Sequence, residues 1–82
     1  MKLSDALSTY ISKEILEETS SKIGIKEELL SSGIVDSIGM MRIVRFVEKT
    51  YKINVPFEDM TIENFMTIEA ISNYVSKKLD KN

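Results

Sequence analysis

The side chains that most often run chemistry at neutral pH are missing from this sequence, whose 82 residues include no His and no Cys. That removes the commonest general base, the commonest metal ligand and the thiolate nucleophile. It also removes disulfides and thiolate metal sites. Catalysis by the chain alone would rest on carboxylates, Lys or Tyr, so a non-enzyme with no catalytic and no metal-binding residues is expected. One hydroxyl stands out instead: Ser37, preceded by Asp36, where an apolar helical pattern begins. Taken alone, Asp-Ser at such a place reads as an ordinary N-cap. The same place has unpaired backbone N–H groups and a partial positive charge, which suit an anion. Without His a serine hydrolase is excluded, and Gly33 and Gly39 do not frame Ser37 with the spacing of a nucleophile elbow.

Helical spacing dominates the rest of the chain. Leu3, Leu7, Tyr10, Ile11 and Ile15 predict an amphipathic first helix running to about Glu18. Thr19, Ser20 and Ser21 end the pattern and Gly24 marks a break. A long connection follows to Asp36, too apolar for a wholly solvated loop. Leu30 and Ile34 are expected to pin it into the core, with one short helical turn. The second helix opens at Asp36-Ser37, carries Met40, Ile43, Val44, Val47 and Tyr51 on one stripe, and ends near Lys52. Ile53 to Pro56 reads as an extended linker. A sheet is rejected because Ile53 and Val55 have no partner strand. A short helix is expected from Thr61 to Phe65. Thr67 then caps a last helix through Ile68, Ile71, Tyr74, Val75 and Leu79, with Lys77 and Lys78 suited to its C-terminal dipole. The fold class is all-α: a four-helix bundle with three longer helices, one short one, and a long loop between helices one and two. Residues 1–82 are expected to form a single domain.

Composition narrows the partners. At 43% hydrophobic the chain can bury a core. The net charge of −2 argues against general nucleic-acid binding. No apolar run approaches the ~18 residues of a membrane span, and Met1-Lys2 leads directly to Ser4 and Asp5 with no signal-peptide pattern. A cytoplasmic chain without membrane insertion is expected, monomeric for want of a heptad seam.

The stretch Leu29-Leu30-Ser31-Ser32-Gly33-Ile34-Val35-Asp36-Ser37-Ile38-Gly39-Met40-Met41 resembles the acyl carrier proteins and their peptidyl-carrier relatives. In those domains a Leu and a Gly precede Asp-Ser-Leu at the start of the second helix. Glu48, Ile53, Val55-Pro56, Asp59, Glu63-Asn64-Phe65 and Thr67-Ile68…Ile71 also fall where such domains place them, so the likeness runs from Leu3 to about Leu79. Ile38 departs from the usual Leu, a volume-conserving change.

The resemblance implies that a phosphopantetheinyl transferase moves 4′-phosphopantetheine from coenzyme A to the hydroxyl of Ser37. The terminal thiol then carries acyl or aminoacyl intermediates as thioesters, loaded by a ligase and used by downstream biosynthetic enzymes. Asp36 matches the neighbouring acid that helps the transferase bind and position its metal ion. Ile38, Met41, Arg42 and Arg45 are the expected partner contacts on the same helix face. Residues 37–52 carry four basic residues and one acidic one, whereas fatty-acid carriers are mostly acidic there and dock on basic patches. A partner offering acidic or apolar contacts, and a specialised pathway, are therefore expected. A D-alanyl or peptidyl carrier is the close alternative, and an unmodified helical interaction domain is the alternative from another class. Glu48 and Lys49 read as solvated, the acidic residues of 53–69 as a source of solubility, and Phe46 and Phe65 as core.

Overall fold

A computed structural model describes residues 3–15 and 23–80. Helix α1 spans Leu3–Tyr10 and continues as a wider π-helical turn over Ile11–Ile15. Neither Gly nor Pro signals that widening. The expected continuation to Glu18 and the break at Thr19 to Ser21 lie outside the described residues. A long loop leads to α2 (Ser37–Tyr51). A 3₁₀ turn (Phe57–Asp59), the short α3 (Ile62–Phe65) and α4 (Ile68–Asp80) follow. The fold is all-helical, with three longer helices, one short one and no strand among the described residues.

α4 packs against α1, α2 and α3. Its stripe of Ile68, Ile71 and Val75 is fully buried, as are Leu7 and Ile11 from the first helical segment and Ile43 and Val47 from α2. Each apolar stripe recurs at helical spacing, so three helices can face one core and leave their charged residues in water. The Tyr10 and Phe46 rings stack with centroids 4.1 Å apart and tie α1 to α2. Phe65 is buried, while Phe46 is only half-buried.

The loop enters the core one residue away from the expected positions. Leu29 is fully buried and Leu30 is 39% exposed; Val35 is buried, while Ile34 is half-buried against the core. Backbone bonds set this register: the Leu29 N–H donates to the Met66 carbonyl (2.9 Å) and the Val35 N–H to the Leu29 carbonyl (2.9 Å). Residues 29 to 33 form a turn in place of a helical segment. It is closed by the Gly33 N–H on the Leu30 carbonyl at 3.1 Å and by the Ser32 hydroxyl on the Glu28 carbonyl. Gly33 adopts φ +82°, a left-handed conformation that suits glycine and turns the chain toward Ser37.

Glu48 is not simply solvated. Its Oε2 accepts from the Val55 N–H at 2.9 Å, and its carbonyl receives the N–H groups of both Lys52 and Ile53. A buried extended linker has no strand to satisfy its amides, so a neighbouring carboxylate does so. Lys52 closes α2 in the left-handed region at φ 55°, the position where glycine is usual. Nor does Asp59 serve solubility alone. It accepts from the Tyr74 hydroxyl at 2.6 Å and pairs with Lys78 at 3.6 Å, while the Asn64 side chain donates to its carbonyl at 2.9 Å. Burial first, then the bond to Asp59, push the Tyr74 phenol above its ordinary value.

Candidate functional site

Ser37 is the first residue of α2 and is exposed. The helix starts there because Asp36 is extended (φ −94°, ψ −176°), and its Oδ1 accepts from the Gly39 N–H at 2.7 Å. The Met40 N–H reaches the Asp36 carbonyl at 2.8 Å. The N–H groups of Ser37 and Ile38 lie in the first turn, where the helix supplies no acceptor. Downstream, Met40, Ile43, Val44 and Val47 anchor the opposite face in the core. The seryl hydroxyl is therefore carried on a fixed helix end.

An open groove of about 300 Å³ runs beside this end, lined by Gly33, Ile34, Asp36, Ile38, Gly39 and Arg42. It brings together three of the residues singled out from the sequence: Asp36, Ile38 and Arg42. Ile38 is 74% exposed, a high value for a large aliphatic side chain. Met41 is 43% exposed on the same side, whereas Met40 is buried, as helical phase requires. Arg45 is exposed and belongs to a second groove, of about 290 Å³, with Tyr10, Arg42, Phe46, Lys49 and Thr50. Lys49, expected to be merely solvated, lines that groove too. Ile34 also has a second role, half-buried against the core and forming a wall of the groove beside Ser37. Its sequence context, an apolar residue in an apolar loop, carried no signal for that wall.

A model of the phosphopantetheine attachment site matches residues 5–75, taking in the loop, α2, α3 and most of α4. The chain belongs to the phosphopantetheine attachment-site family. Domains of this family carry covalently attached 4′-phosphopantetheine and are generally non-catalytic carriers. They are generally modified by a phosphopantetheinyl transferase and interact with biosynthetic enzymes. Among solved structures, a chain described by the words "Crystal structure of FAD-dependent dehydrogenase" superimposes with a TM-score of 0.74 at 20% identity. The match covers 83% of this chain and 96% of that chain; at such identity it shows the fold alone. No curated protein matches the sequence.

The residues beside Ser37 fit such a group. A phosphodiester needs an exposed hydroxyl, donors for its oxygens and room for the arm to leave. The α2 terminus presents the hydroxyl and two free first-turn amides, with the Arg42 cation in the adjoining open groove. No His, Cys, Asp or Glu cluster among the described residues could hold a metal ion. No helix among them is long and apolar enough to cross a membrane.

Proposed function

We propose that this chain is a cytoplasmic acyl carrier in which Ser37 bears the 4′-phosphopantetheine arm. The observation that carries this reading is an exposed serine on the first turn of a core-anchored helix, inside the span matched by the attachment-site family. In the attachment step the Ser37 oxygen bonds to the phosphorus nearest pantetheine in coenzyme A. The bond from that phosphorus to the oxygen bridging the two phosphates breaks, adenosine 3′,5′-bisphosphate leaves, and the hydroxyl proton passes to a base of the transferase. The arm supplies a thiol that carries acyl or aminoacyl groups as thioesters.

The chain's own residues set the stage for that step. Asp36 orders the helix end and presents a carboxylate to the transferase, while the Ser37 and Ile38 amides and Arg42 offset the phosphodiester's negative charge. The Ser37 hydroxyl needs no base from this protein, which accords with a sequence lacking His. A tether holds its cargo at an effective concentration of roughly millimolar near the next enzyme, so a small helical domain suffices. The basic residues of α2 favour a specialised pathway with its own loading ligase over bulk fatty-acid synthesis.

Intact-mass measurement after incubation with coenzyme A and a broad-specificity transferase tests the assignment. The expected result is the mass of one phosphopantetheine group on the wild-type chain and none on Ser37→Ala. An unchanged wild-type mass, under conditions that load other carriers, would overturn it.

A further inference from the structure

Ile38, Arg42, Arg45 and Lys49 recur three or four residues apart along α2 and are all exposed, so they form one stripe about 16 Å long. Arg42 lines both the groove beside Ser37 and the groove that holds Arg45 and Lys49, so the two adjoin at its side chain. Among the described residues none of these three cations pairs with a carboxylate; the ion pair found there joins Lys78 to Asp59. Isolated surface cations are ordinarily just solvated. These differ in three respects. They begin beside the hydroxyl that partner enzymes must reach. Two exposed apolar side chains, Ile38 and Met41, stand at their head. They are also concentrated, since residues 37–52 hold four basic residues against one acidic one in a chain of net charge −2.

An exposed apolar patch bordered by unpaired charge of one sign suits a protein–protein interface. Three cations on a net-negative chain make a poor nucleic-acid or lipid surface, where affinity grows with the number of charges neutralised. We propose that α2 docks on the enzymes that load or use the arm through a carboxylate-bearing protein patch. Acidic side chains of the partner meet Arg42, Arg45 and Lys49, and an apolar depression beside them receives Ile38 and Met41. This inference rests on the assignment of the arm to Ser37.

The probe is an acyl-transferring enzyme of fatty-acid synthesis, whose carrier-docking patch is basic, together with a version in which that patch is rewritten with Glu. The arm is first installed on the chain and verified by mass, and initial rates of acyl transfer are then compared. The wild-type chain is expected to be acylated about tenfold faster by the Glu-patch enzyme at low salt. That advantage should fade toward 1 M salt, where the screening length falls to about 3 Å. The triple variant Arg42→Glu/Arg45→Glu/Lys49→Glu should prefer the basic-patch enzyme. All three positions are exposed, so folding is expected to survive; the single Arg45→Glu variant, with its melting curve, guards against the alternative.

Equal rates with both enzymes for both chains would overturn the docking proposal while leaving the arm assignment intact. So would charge-dependent binding to phosphatidylserine vesicles without any preference between the enzymes, which would mark the stripe as a lipid-facing surface. If no arm can be installed, the Ser37 reading falls and the docking proposal falls with it.

Discussion

Asp36 is given two tasks, ending the loop with a cap on α2 and presenting a carboxylate beside Ser37, and substitution can separate them. Asp36→Ala removes the acceptor that holds the Gly39 N–H at 2.7 Å. Loss of such a cap costs about 1 kcal/mol, within a range of about 0.5–2. Loss of negative charge at the helix N-terminus costs about 0.3–1 kcal/mol more. Together they make about 1–2 kcal/mol, and each kcal/mol lowers the melting temperature of a domain this size by about 4–8 °C. Asp36→Asn keeps an oxygen for the Gly39 N–H and gives up only the charge, so it should lose about 1–8 °C and always less than the Ala variant. Both variants should take up the arm slowly, because both lack the carboxylate. Melting curves followed by circular dichroism and initial rates of arm transfer followed by intact mass read the two tasks independently. An Asn variant that melts as low as the Ala variant would refute the capping argument. An Asn variant loaded at the wild-type rate would refute the recognition argument and leave Asp36 as a cap alone.

Three further outcomes follow from the packing. Leu29→Ala should cost about 2–5 kcal/mol, enough to bring a chain this small near its unfolding midpoint at room temperature. Leu30→Ala, at a 39% exposed position, should shift the urea midpoint little; equal losses would refute the observed register. Glu48→Ala strands the Val55 N–H of the linker and should cost about 1–3 kcal/mol in denaturant titrations; an unchanged midpoint would mean that water replaces the carboxylate. The raised Tyr74 phenol titrates from the ordinary value of 10.0 when unfolded. Its contribution is thus fully present below pH 10 and is lost as pH rises through the higher folded value. Melting temperature should therefore fall less steeply above pH 10 in Tyr74→Phe than in the wild type. Parallel curves would show that the phenol's ionisation does not drive alkaline unfolding.

Local signals made α2 the most legible element. Asp36 supplied the cap, the stripe from Met40 to Val47 supplied the buried face, and the helix begins and ends within a residue of expectation. Thr67 was equally plain, and its Oγ1 accepts from the Ala70 N–H at 3.0 Å. The surroundings of Ser37 were readable for the same reason, since Asp36, Ile38 and Arg42 lie within one or two helical turns of it. What escaped depends on distant partners. Nothing near Leu29 and Leu30 decides which one turns inward; the carbonyl of Met66 does, through its bond to the Leu29 amide. Glu48 looked like any solvent-facing helix residue, because the amide it serves belongs to a linker beyond the helix end. Lys78, expected to serve the helix dipole, also reaches Asp59 and lies 5.8 Å from the centre of the Tyr74 ring.

The long loop is stitched to the far end of the chain by two backbone bonds, Leu29 N–H to the Met66 carbonyl and Glu69 N–H to the Ile25 carbonyl, both 2.9 Å. The footing of Ser37 is thereby shared between α2 and the junction of α3 with α4. Displacing Met66 would take away the acceptor of the Leu29 amide, and with it the bond that sets the loop's register. The approach to the serine is thus braced from outside its own helix.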